Sequence, residues 1–190
     1  DTGEESRGHD DVKMFEQASA FIKSRKDLDQ PCFLWLAPRQ PHVPLLPEQK
    51  WLDWYPPGSI HLTKNFRVEP TDASLNNQGT PTETFYRDSN HLNNVGRLPA
   101  GPPRDKKTML AFMRAYYAVV SHLNDQVGKF TDLLRETGLM ENTVVFFLSD
   151  NGYHLGSHGL GNKITMHEES VRVPMFAFGA GIAPGRTTQA

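Results

Sequence analysis

Residues 146–163 read FFLSDNGYHLGSHGLGNK, an apolar run that ends abruptly in Asp150-Asn151 and enters a loop with four glycines, two histidines and a lysine. Three chemistries compete for such a stretch: a phosphate-cradling loop, a zinc-binding helix, and a hard-metal site that holds an oxyanion. A nucleotide P-loop needs G-x-x-x-x-G-K-[ST] directly after its strand. Here Asn162 stands between Gly161 and Lys163, and Ile164 follows the lysine. A zinc helix would use His154 and His158 at i and i+4 on one face. Gly152, Gly156, Gly159 and Gly161 oppose a helix, and no glutamate follows His154. Asp150 and Asn151 offer a carboxylate and an amide oxygen, hard donors suited to Ca2+ or Mg2+. The plainer alternative is an Asx-turn that ends the strand. The loop alone leaves these last two open.

Outward from the loop, NTVVFFLSD (142–150) reads as a buried strand and VRVPMFAFG (171–179) as another. Upstream, Met109, Phe112, Met113, Tyr116, Val120, Leu123, Val127, Phe130 and Leu134 step by three and four, the period of a long amphipathic helix. Asp105 is its expected N-cap, Gly138 its C′ glycine and Gly128 a candidate bend. CFLWLA (32–37), bounded by Pro31 and Pro38, predicts a strand buried on both faces, with Cys32 as a small core residue. Helical spacing covers 10–26, and PEQKWLDWY (47–55) suits a short helix. Between 56 and 104 lie seven of the 14 prolines and few apolar clusters, which predicts a long irregular insert. The rhythm of helix and buried strand predicts an α/β fold with a mostly parallel sheet flanked by helices. In open α/β sheets, ligands bind beyond the carboxyl ends of the strands. Parallel neighbours would therefore bring His42, after the first strand, to the same edge as Asp150.

At 190 residues the chain is one domain or part of one. Its formal charge of −2 suggests no nucleic-acid surface, and no apolar run reaches the roughly 18 residues that span a bilayer. The opening DTGEESRGHDD is no signal peptide, and a single cysteine rules out internal disulfides. The loop chemistry at both ends suggests an internal piece of a longer protein.

SDNGYHLGSHGLGNK followed by HEESVRVPMFAFGAGI closely resembles the type I sulfatases of the alkaline phosphatase superfamily. The usual form there is S-D-[HN]-G-x-x-x-G-x-H-G-x-x-x-K, then E-E-x-x-R-V-P and a strand. PCFLWLAPRQPHVP resembles that family's strand and P-H-x-P turn, and MRAYYAVVSHLNDQVGKFTDLLRETGLMENTVVFFLSD its long helix before the metal strand. The insert before the helix is most like the iduronate-sulfatase and choline-sulfatase branch.

The resemblance implies an alkaline-phosphatase-like fold, incomplete here, with residues 1–190 as the central to C-terminal part of a sulfatase catalytic domain. It implies Ca2+, or Mg2+ in its place, held by Asp150 and Asn151, and a sulfated small molecule or sugar as substrate. Lys163, 13 residues after Asp150, matches the lysine that meets the sulfate or leaving-group oxygen. His42 matches the substrate histidine, a general acid toward the leaving group. His158 matches a substrate-side or structural histidine, and Tyr153 and His154 fall where the substrate mouth would be. Glu168, Glu169 and Arg172 match a fold-supporting ion pair. Gln40 departs from the lysine many members carry there. The nucleophile motif [CS]-x-P-x-R and the earlier Asp-Asp metal pair do not occur in residues 1–190, so a formylglycine made from cysteine or serine is expected upstream. A phosphodiesterase or phosphonate monoester hydrolase, and a non-catalytic domain that binds sulfated glycans, are the alternatives. A secreted, periplasmic or lysosomal compartment follows from the resemblance alone.

Overall fold

The computed structural model describes residues 9–27, 29–42, 45–68, 105–161, 163, 165–185 and 187. Its centre is one long helix. In chain order the elements are α1 (His9–Arg25), α2 (Gln49–Leu52), α3 (Lys106–Glu136), a 3-10 turn (Leu139–Asn142), β1 (Val144–Leu148), α4 (Glu168–Val171) and β2 (Met175–Gly179).

α3 forms where the apolar spacing predicts it. Asp105 caps it by accepting the Thr108 N–H at 2.8 Å and the Thr108 hydroxyl at 2.7 Å, and these bonds hold the Asp105 carboxyl below its usual range. Such a cap is worth about 1 kcal/mol. The helix runs through Gly128 and stops at Thr137, with Gly138 at φ 75°. Its buried stripe, Met109, Phe112, Met113, Ala115 and Val119, closes a core with Leu45. Full burial of a side chain such as Phe112 contributes roughly 1.5–3 kcal/mol. A second stripe at Ala118 receives Trp51 and Leu52 of α2, which is a single helical turn. α1 lies against the far part of α3, where Phe15 meets Phe130 edge-on at 6.2 Å. No helix among the described residues is long and apolar enough to cross a membrane.

The sheet corrects two expectations. β1 and β2 pair antiparallel, from Val144 opposite Gly179 to Leu148 opposite Met175, and they form a two-stranded sheet. A parallel pair needs a long crossover, usually a helix. Here the described helix between the strands is the one turn of α4, and the chain returns in the opposite sense. β1 is also not buried on both faces: Val145 and Phe147 are half-buried, whereas Val144, Phe146 and Leu148 are exposed.

Residues 32–37 form neither a helix nor a strand ladder among the described residues. Phe33 is 85% and Trp35 69% exposed, and Cys32 is exposed rather than in a core. An apolar run of this kind is buried as a strand only when another strand pairs beside it and a layer covers it. The parallel edge expected to carry both His42 and Asp150 is not present among the described residues. Of the irregular insert, 56–68 is a series of turns, and 69–104 lies outside the described residues.

Candidate active site

The segment after β1 is positioned by its backbone. The Ser149 hydroxyl donates to the Asn151 carbonyl at 2.8 Å, and the Asn151 side-chain Nδ2 donates to the Gly152 carbonyl at 2.8 Å. Asp150 is exposed at the strand end and Asn151 is half-buried. Because the Asn151 amide is anchored through nitrogen, its oxygen is the end left for a cation. Two adjacent hard oxygen donors at a fixed strand end suit Ca2+ in kind. No group of three or more His, Cys, Asp or Glu side chains placed to hold a metal occurs among the described residues, so these two would be part of a shell.

Gly152 is held by its N–H bond to the Ser170 carbonyl at 2.7 Å. A Cβ there would run into the Glu169 carbonyl oxygen, so only glycine lets the loop lie against α4. The loop then crosses to residues 63–67. Ser157 bridges Phe66, the His158 N–H donates to the Asn65 carbonyl at 3.0 Å, and Gly156, at φ 90°, sits over the Phe66 ring. Tyr153 packs on the α3 core with its ring 5.6 Å from Tyr116. Burial, with the neighbouring Tyr117, pushes the Tyr116 hydroxyl up to about 12.

Three histidines gather behind this loop. The His158 and His167 rings stack at 4.5 Å, and His154 meets them edge-on at 6.3 and 5.3 Å. His154 is 1% exposed. Its Nε2 lies 2.7 Å from the Thr165 hydroxyl and 3.1 Å from the Ser170 hydroxyl, while its buried Nδ1 has no hydrogen-bond partner. Burial first, then the charges of His167 and His158, push it down to about 4, against a smaller upward pull from Glu169. Such a placement suits packing rather than a substrate mouth.

His158, at φ 59°, pairs with Glu169 at 3.1 Å, and Asn65 Nδ2 reaches both partners, at 3.2 and 2.8 Å. A left-handed backbone at a non-glycine residue persists only where its surroundings enforce it, and here two side chains and a bridging strand do. Burial opposes ionisation of Glu169. The hydrogen bond from Asn65 and the nearby His158 and His154 outweigh it and hold the carboxyl low. Glu169 thus finds its partner in His158, and the exposed Arg172 stands apart from that pair.

Lys163 is half-buried, and its carbonyl accepts the Thr165 N–H at 2.9 Å. His42 is exposed and ends a separate turn, its N–H donating to the Arg39 carbonyl at 2.8 Å after a cis Gln40–Pro41 bond. Gln40 is drawn inward: its Nε2 lies 3.4 Å from His122 Nδ1 on α3. The structure therefore brings Tyr153, His154 and His158 onto one folded loop between Asp150 and Lys163, and sets His42 on a turn held by other elements. Sequence reasoning missed Asn65, whose partners lie 93 and 104 positions away and leave no local signal, and His167, which meets the nearby Thr165, His154 and His158 with no periodic pattern to mark it.

The sequence signature of the Sulfatase family matches residues 2–190. The chain is 30% identical over 179 residues to the choline-sulfatase of Rhizobium meliloti, covering 93% of this chain and 32% of that protein. It is 29% identical over 178 residues to iduronate 2-sulfatase of Mus musculus, covering 93% and 31%. Among solved structures, the phosphonate monoester hydrolase of Silicibacter pomeroyi superposes with a TM-score of 0.72 at 20% identity, over 95% of this chain and 35% of that one. That likeness speaks for a shared α/β fold. The chain spans about a third of the length of the curated relatives it matches. With the motif loop, its strand and the family signature in agreement over nearly the whole sequence, the chain belongs to the sulfatase family.

Proposed function

We propose that residues 1–190 form the central to C-terminal part of a calcium-assisted sulfuric ester hydrolase of the iduronate- and choline-sulfatase branch. The observation that carries this reading is the strand end itself: Asp150 and Asn151 follow β1 with only Ser149 between, and the Asn151 amide is anchored through its nitrogen to the Gly152 carbonyl. Bound there, Ca2+ (or Mg2+) would draw charge from a sulfate group, and a formylglycine from outside these residues would supply the nucleophile.

The chain's own groups divide the remaining work. Lys163, a compact cation with three donors, neutralises the oxyanion as charge builds on it. His42 donates a proton to the ester oxygen as the leaving group departs. His158, held by Glu169 and Asn65, lines the substrate side as a fixed ring, and Tyr153 contributes to the substrate mouth. The substrate is a sulfated small molecule or sugar, in a secreted, periplasmic or lysosomal-type compartment. A second reading, a phosphonate monoester hydrolase, draws support from the fold match to such an enzyme, since the two oxyanions are similar in shape.

The test uses the longest natural polypeptide that carries these residues, with an aryl sulfate and an aryl phosphonate monoester as substrates. Faster turnover of the sulfate, stimulated by Ca2+ and lost in Asp150→Ala, is the expected result. A Ca2+ response that survives Asp150→Ala defeats the metal assignment, and preference for the phosphonate favours the second reading. Residues 1–190 alone contain no [CS]-x-P-x-R segment, so turnover by these residues alone would overturn the reading as a whole.

A further inference from the structure

Asp11 lies on α1, 28 positions before Arg39, and is 6% exposed. Its carboxylate reaches out of its own helix to two consecutive backbone amides. Oδ1 accepts the Arg39 N–H and Oδ2 the Gln40 N–H, each at 2.9 Å. A carboxylate is buried at high cost unless it is hydrogen-bonded, and bonds from N–H groups to an ionised acceptor are stronger than neutral ones. These two amides open the turn that His42 closes, because the His42 N–H returns to the Arg39 carbonyl at 2.8 Å.

The turn is gripped again from α3. The Gln40 side chain meets His122, which stacks on Trp51 with ring centroids 5.9 Å apart and lies 3.4 Å from Gln126. The His42 side chain is exposed, and its backbone belongs to the turn that α1 and α3 hold. A carboxylate that merely capped α1 would bond to amides of its own first turn.

We propose that Asp11 is a positioning residue for His42, its carboxylate clamping the Arg39 and Gln40 amides so that the turn aims the imidazole at the ester oxygen. The proposal rests on the reading of His42 as the proton donor. Asp11→Asn keeps the size but turns one acceptor into a donor that faces an N–H. Asp11→Glu keeps both acceptors on a longer arm.

Two measurements test the clamp. On the 190-residue chain, amide hydrogen exchange at Arg39 and Gln40 is expected to quicken at least about 10-fold in Asp11→Asn, with the α3 amides unchanged. On the longest natural polypeptide, aryl sulfate kinetics are expected to show kcat lowered about 10- to 100-fold with KM within about 3-fold, because displacement of a catalytic group by an ångström can cost that much. Asp11→Glu should recover part of the loss. Exchange quickened throughout α3 would mean general loosening and overturns the positioning role. An unchanged kcat in Asp11→Asn, with His42→Ala inactive, overturns it while leaving His42 intact. Full activity in His42→Ala removes both, and is recognised because that variant alone decides it.

Discussion

Phe146 in β1 is 61% exposed, whereas His154, eight residues on, is 1% exposed. The strand is the apolar segment and the loop is the polar one, so burial runs against composition. The loop brings its partners with it: Thr165 and Ser170 bond His154, Glu169 and Asn65 bond His158, and the backbone of 65–67 docks beside it. Of the buried side-chain nitrogens and oxygens described in this loop, His154 Nδ1 alone lacks a partner; the others without one, Arg25 Nε, Gln40 Oε1 and Trp51 Nε1, lie elsewhere. Among the described residues the strand has one neighbour, β2, and a face with Val144, Phe146 and Leu148 exposed. A two-stranded sheet is marginal in water by itself. The difference teaches that polar contacts can order a loop among the described residues, while an apolar strand with one described neighbour keeps a face in solvent.

The largest expected effect strikes the loop at its tightest approach. Gly152→Ala places a methyl group in the Glu169 carbonyl and breaks the N–H bond to Ser170. Backbone cannot give way as a flexible side chain can, so a loss of about 4 kcal/mol is expected, read as a shift in the urea unfolding midpoint. A variant as stable as the parent would mean that the loop does not rest on α4.

A pH titration comes next. In the unfolded chain His154 takes up a proton near pH 6.5, but in the folded one only near 4. Between those values the unfolded state binds more protons, so stability falls as pH drops, by on the order of 3 kcal/mol over the whole window. Glu169, whose folded carboxyl is held low, adds a further loss below the ordinary carboxylate range as pH falls through its folded value. Unfolding midpoints at pH 7 and 4.5 measure the first effect. His154→Gln, neutral at both, should be flatter between them; an equal slope in parent and variant would show that the buried ring is not the cause.

These contrasts explain what the sequence made legible. α3 could be read to within a few residues because its period, the Asp105 cap and the Gly138 stop are all local to it. The strands β1 and β2 could be located but neither paired nor buried correctly, since direction depends on the path between them and burial on layers elsewhere. Asp150-Asn151 stood out by residue type, and the family resemblance followed from the order and spacing of motifs along most of the sequence outside 56–104. The residues that hold the site were invisible: Asn65 reaches Glu169 across 104 positions, and Asp11 reaches Gln40 across 29. No periodicity encodes a contact of that range.

The smallest expected effects divide one strand by its two faces. Phe147 stacks on Phe176 of β2 with centroids 4.7 Å apart, and Phe147→Thr should cost about 1–2 kcal/mol through that lost pair. Phe146 faces the other way, opposite Ala177, and is mostly in solvent. Phe146→Thr keeps a residue suited to strands and removes little buried surface, so a change within about 0.5 kcal/mol is expected. Unfolding of the two variants under identical conditions makes the comparison internal, because strand, register and propensity change are shared. A cost at Phe146 equal to that at Phe147 would mean that both faces of β1 are covered in solution. The contrast between a self-sufficient loop and an uncovered strand would then be lost.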